Sequence, residues 1–363
     1  MIKVGLLSYS ANPIETMPEL RMRALLAEAA LQGVSLVVID PSGFDATKGL
    51  VEAAYWTGTA WKYCLQTLPD AVFVFNTPIH EKHLALDKAL RVSSILVTDR
   101  GVDKLELLSV MAGTDAEHYI PTTQRISKDR PAEMLADFLR QNHAAVVKRA
   151  SGNQGKGLFF ITPENDDGDY AVRYDKRSFR GTLEEVSSFV AQRIAGRLNY
   201  REYLAQRFIH SVADDGRPSD IRVHIQRQSG GAWGITRSYV RLAEVGMPLA
   251  NSSKGGYQGP LDGFLKQRKT RPEEEVKAEL VKAAFLIAEL EDAGRTNPLS
   301  ELGLDFLIDD SDQIWLIETN TFPQSSLHEH ARAVHFIGYT RWLAQDNLIS
   351  SKRKVGLATA LQG

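Results

Sequence analysis

The stretch Glu301–Asn320, ELGLDFLIDDSDQIWLIETN, constrains this chain more than any other. Two apolar runs flank the turn-forming residues Asp309–Asp312, which predicts a β-hairpin. A four-residue turn would set Ile308 against Gln313 and Asp305 against Leu316. Opposed residues share a face, as do alternate residues along one strand. On that register Asp305, Glu318 and Asn320 point the same way at the open end of the hairpin. Leu304, Phe306, Ile308, Trp315 and Ile317 form an apolar layer on the other face. Three oxygen donors suit Mg²⁺, a hard cation that takes oxygens in an octahedron, with positions left for phosphate and water. An ordinary acidic hairpin is the competing reading, and Asp309, Asp310 and Asp312 are turn residues on either. A one-residue change in the turn would flip the register and separate the three groups.

The rest of the chain supplies ample core. Of 363 residues, 43 % are hydrophobic and 24 % charged, enough for more than one domain. A net charge of −2 gives no basic field for nucleic acid or an anionic membrane, so neither is expected as a partner. Cys64 is the single cysteine, which excludes an intrachain disulfide and fits a reducing, cytoplasmic setting. No apolar run approaches the roughly 20 residues that span a bilayer. The opening Met1–Ser8 reads as a strand, not a signal segment.

Strand-like and helix-like patterns alternate through the first hundred residues: strands at Ile2–Ser8, Val34–Asp40, Ala71–Asn76 and Ser94–Asp99, and a helix at Pro18–Gln32. This predicts an open α/β domain over 1–111, with a parallel sheet and crossover helices. Residues 112–204 predict a small antiparallel sheet beside two helices, Pro131–Asn142 and one capped by Thr182 with Glu185. Residues 205–350 are strand-rich, with helices at Pro272–Ala293 and Leu327–Ala344, and 351–363 form a tail. Cys64 is expected buried in a helix. Tyr55, Trp56, Trp61 and Tyr63 have spacings compatible with a helix face. His328, His330 and His335 lack zinc spacing and fall on a helix after the hairpin, where one can reach a cleft.

Three further segments carry chemistry. In Val146–Gly157, Lys148 ends an apolar strand and precedes a loop with Gly152, Gly155 and Gly157. Such glycines let backbone N–H groups approach an anion, although the spacing is not that of a Walker A loop. Lys104, at a helix start, is a second cation for phosphate or a solvated lysine. Tyr203–Ile209 can offer backbone groups to an adenine edge. In Asp220-Ile-Arg222 two charges alternate on one strand face, for a ribose and an anion or as a structural pair. Asn251–Gly256 is a polar glycine-rich loop, suited to an oxyanion or to a surface turn.

In this order, the four elements resemble the ATP-grasp superfamily over about Gly101–Gln324, particularly its glutathione-synthetase-like and spore-coat-associated (YheC/YheD-type) branches. The resemblance implies an N-terminal open α/β domain followed by a two-lobed ATP-grasp fold. It implies that Lys104 and Lys148 hold the phosphates of ATP under the Gly152, Gly155 and Gly157 loop. Gln206, Phe208 and Ile209 would line the adenine, Ile317 would lie beside the nucleotide, and Asp220 would meet the ribose. Arg222 and Arg241, with Lys148, would be catalytic. The two arginines would hold an acyl-phosphate or substrate carboxylate beside Asn251, Gly255 and Gly256. Asp305, Glu318 and Asn320 would bind Mg²⁺. The implied activity is carboxylate–amine ligation through an acyl-phosphate, on an amino acid or small peptide, forming ADP. The alternative is a nucleotide-binding structural or regulatory protein of the same fold. A homodimer is among the assemblies implied. Arg149 stands where relatives often have proline, and Gln206 where many have an acid.

Overall fold

The structure is a computed structural model. It describes the chain except residues 79, 99–100, 152–156, 166–167, 245–256, 269, 294, 296 and 361–363, and except the side chains of 98 and 347–360.

The first sheet runs β4-β3-β2-β1-β5-β6. Its strands are β1 (Ile2–Leu7), β2 (Val34–Asp45), β3 (Leu50–Trp56), β4 (Trp61–Thr67), β5 (Ala71–Val74) and β6 (Ile95–Thr98). β2, β1, β5 and β6 are parallel, as the alternation predicts. β3 and β4 are not: they add an antiparallel extension at the β2 edge where a crossover helix was expected. Trp56 pairs with Trp61, Ala54 with Tyr63 and Ala53 with Cys64, so these aromatics lie on strands and not on a helix face. Cys64 is exposed on the edge strand, contrary to its expected burial. The helices of this region are α1 (Pro13–Thr16), α2 (Glu19–Leu31) and α3 (Leu84–Ser93), the last a crossover between β5 and β6.

Next come α4 (Lys104–Met111) and the second sheet, ordered β11-β10-β9-β8-β12-β7. It is built from β7 (Thr123–Arg125), β8 (Ala145–Arg149), β9 (Phe159–Pro163), β10 (Asp169–Tyr174), β11 (Arg177–Thr182) and β12 (Tyr203–Arg207). Its neighbours pair antiparallel, as expected. α5 (Pro131–Asn142) and α6 (Leu183–Leu198) cover it. α6 starts with a full capping box between Thr182 and Glu185. Its buried Val186, Val190 and Ile194 recur every fourth residue and meet Phe138 and Val147 in one core.

The third sheet is β15-β14-β13-β16-β17. It contains β13 (Ser219–Arg227), β14 (Trp233–Leu242), β15 (Tyr257–Pro260), β16 (Glu301–Ile308) and β17 (Ile314–Asn320), with helices α7 (Leu261–Leu265), α8 (Glu273–Asp292) and α9 (Glu329–Ala360). One face is apolar: Ile221, Val223 and Ile225 with Leu302, Leu304 and Phe306 pack on Leu280, Ala284 and Ile287 of α8. Leu107 and Met111 of α4 join that core, so the helix expected to close the first domain packs with the third sheet. α9 reaches both neighbours: Arg332 meets Glu301 of the third sheet, while Ala333, Phe336 and Ile337 are buried against Val4, Leu6 and Phe73 of the first sheet. Both helices bury their apolar stripes where a partner surface lies, not where sequence proximity suggests.

Candidate active site

The β16–β17 hairpin departs from its expected register in two compensating ways. Its turn is one residue longer, because Ile308 pairs with Ile314. The Asp309 carboxylate accepts from Ser311 N, Gln313 N and Trp315 Nε1, and Asp312 adopts a φ of 62°, which together close the wider loop. The expected pairing of Asp305 with Leu316 is therefore replaced: Leu316 faces Phe306, and Asp305 faces Glu318. Ile317 is the extra residue, a β-bulge. Ile314 and Leu316, not Trp315 and Ile317, fill the apolar layer. Without the bulge Glu318 would oppose Leu304 in the core. With it, Asp305 and Glu318 share the polar face, and Asn320 pairs with Gly303 beside them.

That polar face continues across the sheet, because alternate residues of β13 share a side. Asp220, Arg222, His224 and Gln226 therefore lie on it, opposite Arg241, Tyr239 and Arg237 of β14 and Glu301, Gly303 and Asp305 of β16. Arg222 grips Asp305 with two nitrogens, one of them Nη2 at 2.9 Å, and Arg241 Nη2 reaches the same carboxylate at 3.0 Å. Arg241 also binds Asp220. Burial alone would raise the Asp305 pKa, but the two guanidinium groups outweigh it and hold it below the usual carboxylate range. Asp220 is pushed up by burial despite Arg241. Its partner is Arg241 across the ladder, whereas Arg222 turns to Asp305, so the pair within Asp220-Ile-Arg222 that the sequence offered does not form.

A second buried cluster adjoins the first. Glu301 is held by Arg332 of α9, with one contact of 2.7 Å, and by His224 Nε2 at 3.2 Å. Burial favours protonation of Glu301, yet Arg332 and His224 hold its pKa at about 2. His224 Nδ1 lies 2.8 Å from His328 Nε2. Burial lowers both imidazole pKa values, that of His328 to about 3. With both rings neutral, His224 donates to Glu301 and accepts from His328. Sequence reasoning missed His224, Glu301 and Arg332. The only local signal was the polar alternation at 220, 222, 224 and 226.

The phosphate-binding candidates meet the hairpin from the other side. Lys148, at the end of β8, is buried and donates to Gln206 Oε1 at 2.7 Å. Gln206 Nε2 donates to Thr123 Oγ1. Burial first, then the charge of Lys104, lowers the Lys148 pKa to about 7, against the pull of Glu318. Lys104 Nζ lies 3.4 Å from Glu318, and Asn320 Nδ2 donates to Glu318 Oε1 at 3.2 Å. Lys104, Lys148, Gln206, Leu316 and Ile317 line one crevice. Phe208 donates its N–H to Ala144 O and packs edge-on to Phe160, next to the buried Ile209. Gly157 has a φ of 71°, which only glycine adopts readily. Gly152, Gly155, Asn251, Gly255 and Gly256 lie outside the described residues. His330 and His335 fall on α9, and His328 just before it.

Asp305, Glu318 and Asn320 offer the all-oxygen chemistry that Mg²⁺ takes. Arg222 and Arg241 use three contacts to Asp305, leaving one of the roughly four lone-pair sites of a carboxylate. Among the described residues no group of three or more His, Cys, Asp and Glu is disposed to hold a metal.

A small antiparallel lobe and a larger one, with a lysine-lined crevice between them and an open α/β domain before them, define the ATP-grasp fold. Within it the chain belongs to the YheC/D-like ATP-grasp family, whose pattern it matches over residues 95–340. Endospore coat-associated protein YheD of Bacillus subtilis (strain 168) is 26 % identical over 212 residues, covering 58 % of this chain and 46 % of the relative. YheC of the same organism is 25 % identical over 207 residues, covering 56 % and 55 %. The chain thus spans about half the length of the curated relatives it matches. Among solved structures, D-alanyl-alanine synthetase A from Vibrio cholerae O1 biovar eltor has a TM-score of 0.54 at 12 % identity, covering 95 % of this chain and 96 % of that one. An ADP complex of N5-carboxyaminoimidazole ribonucleotide synthetase has a TM-score of 0.53 at 11 % identity, covering 94 % and 77 %. At these identities the likeness is one of fold. No helix among the described residues is long and apolar enough to cross a membrane.

Proposed function

We propose that the protein is a cytoplasmic, Mg²⁺-dependent ligase that uses ATP to activate a small carboxylate as an acyl-phosphate and passes it to an amine. The observation that carries this reading is the polar sheet face on which Arg222 and Arg241 converge on Asp305, beside Glu318 and its lysine partner Lys104. Both guanidinium groups are fixed by the carboxylates they hold, and the N–H groups they keep beyond those contacts suit an oxyanion, since little reorganisation is needed to meet it.

In this reading Lys148 and Lys104 bind the triphosphate, and Gln206 holds Lys148 in place until the phosphates arrive. Mg²⁺, held by Glu318, Asn320 and the remaining lone pair of Asp305, would supply charge neutralisation at the phosphates. Arg222 and Arg241 stabilise negative charge on the transferred phosphoryl group and the acyl-phosphate. The lysine-lined crevice has room for about 10 Å³, roughly one water. In this reading a nucleotide enters as the two lobes part, and their return excludes water from the acyl-phosphate.

The test is to incubate the full chain with ATP, Mg²⁺ and pooled amino acids and dipeptides. Phosphate release is followed, and products are identified by mass spectrometry. A ligated product with matching phosphate release supports the reading. ATP binding without turnover in any pool would favour the nucleotide-binding, non-catalytic alternative.

A further inference from the structure

A second cavity, of about 470 Å³, opens at the carboxyl ends of the parallel strands in the first sheet. Its wall is formed by Ser8–Asn12 after β1, by residues 38–42 of β2 where its pairing with β1 ends, by Tyr63 on β4, and by His80, Lys82 and His83. The chain leaves β1 toward β2 on one side and leaves β5 toward β6 on the other. Loops diverging from adjacent strands open a crevice at such a switch point, the usual ligand position in open α/β sheets.

Two features of the wall specify a ligand. Asp40 and Lys82 both line the cavity, yet no ion pair joins them among the described residues. Asp40 is instead bonded to the Ser42 N–H, and Lys82 reaches the Ser42 hydroxyl at 3.4 Å. Opposite charges held apart at one opening match a molecule that carries both signs. The second feature is His83, which is 3 % exposed and has no partner for either ring nitrogen among the described residues. A buried polar group without a partner is costly, and a neutral imidazole needs one acceptor and one donor to satisfy it.

The wall is otherwise a preorganised hydroxyl and amide network. Asn76 donates to Ser8 Oγ at 3.1 Å and Ser10 Oγ at 2.6 Å while accepting from Tyr9 N. Asn12 donates to the Tyr63 hydroxyl. Asn76 follows Phe75, whose ring lies 5.6 Å from that of Phe322, two residues beyond Asn320. The chain just after β5 therefore lies near the end of the Asp305–Asn320 hairpin.

We propose that this cavity binds a free α-amino acid as a zwitterion, its ammonium at Asp40 and its carboxylate at Lys82, with His83 bridging the two ends. The assignment of that amino acid as a ligation substrate rests on the ligase reading above. The binding itself does not.

The experiment is calorimetric titration of the full chain, without nucleotide, with glycine, L-alanine, L-serine and L-glutamate in turn. At least one should bind with a dissociation constant of about 1 mM or tighter. Asp40→Asn and Lys82→Met should each weaken it about tenfold, since each removes a charge-assisted contact. The N-acetyl and methyl-ester derivatives, which lack one charge, should not bind. His83→Gln should retain binding that His83→Leu loses, with thermal unfolding confirming that both variants fold. Glu318→Gln, in the nucleotide site, should leave the affinity unchanged. No binding by any of the four, or binding indifferent to either charge substitution, overturns the proposal. An amino acid that binds here but never supports ATP turnover keeps the cavity and removes the ligase reading. ATP-dependent ligation with no binding at this cavity does the reverse.

Discussion

Asp305 faces Glu318 across the β16–β17 ladder only because Ile317 is bulged out of register between Leu316 and Glu318. The bulge corrects a turn that is one residue too long, so two apparent irregularities together deliver both carboxylates to the polar face. The two acids nevertheless have different surroundings. Asp305 is buried under two arginines, whereas Glu318 is 29 % exposed and meets Lys104.

Asp305→Asn and Glu318→Gln should therefore fail in different ways. Asp305→Asn leaves Arg222 and Arg241 short of buried counter-charge and should cost about 3–5 kcal/mol of stability. Glu318→Gln should change stability by no more than about 1 kcal/mol. Its Mg²⁺-dependent turnover should still fall on the order of a hundredfold. Urea unfolding beside phosphate release separates the two effects, and an equal stability loss in both variants would contradict the assigned surroundings.

On the proposed reading, Lys148 makes ATP binding pH-dependent. Its pKa is near 7 in the ligand-free protein against an ordinary 10.5, and adjacent phosphates would raise it again. Between those values the free protein carries a neutral amine and the complex an ammonium. Binding at about pH 8 should then take up close to one proton, and affinity should fall by up to about tenfold per pH unit above neutrality. Titration in two buffers of different ionisation enthalpy measures the uptake. Lys148→Met should abolish it. Uptake that persists in that variant would assign the proton elsewhere.

The sequence carried the hairpin, the order of the motifs and the placement of Asp305, Glu318 and Asn320 at one end. It also carried α5 and the Thr182 cap, whose signals are local. The turn length was not legible, because it depends on how the Asp309 carboxylate distributes itself over Ser311, Gln313 and Trp315. Nor were β3 and β4: aromatics at 55, 56, 61 and 63 satisfy a helical and a two-residue period at once, and sheet pairing decided between them. The arginine grip on Asp305 and the Glu301–Arg332 pair join residues far apart in sequence, with no local pattern to announce them.

Glu301 should set the acid limit of the fold. Its pKa falls from an ordinary 4.5 to about 2 on folding, so the unfolded chain binds the additional proton between those values. The pair's contribution is full above about pH 4.5 and is lost as pH falls toward 2. Glu301→Gln should flatten that part of the melting-temperature profile and lower stability at neutral pH, because Arg332 loses its buried partner. Circular dichroism melts across the acid range test this. A variant with the wild-type acid slope would exclude Glu301 as its source.

Gly303 is required by the site and not by a turn. A Cβ there would stand 2.7 Å from Pro323 Cβ and 3.0 Å from Arg222 Nη1. Gly303→Ala should cost about 1–3 kcal/mol as overpacking and shift Arg222 off Asp305. Gly263→Ala, where a Cβ meets nothing within 4 Å, serves as the control and should not destabilise. Equal melting temperatures for both variants would show that Arg222 is not held against β16.

The central claim is that Arg222, Arg241 and the two lysines stabilise charge at the γ-phosphoryl group and not at the α-phosphate. The measurement is product analysis with a working acid and amine, the acid carrying ¹⁸O in its carboxylate. Acyl-phosphate chemistry predicts ADP and phosphate in equal amounts, with one labelled oxygen transferred to the phosphate. AMP with pyrophosphate, or unlabelled phosphate during ligation, would contradict it.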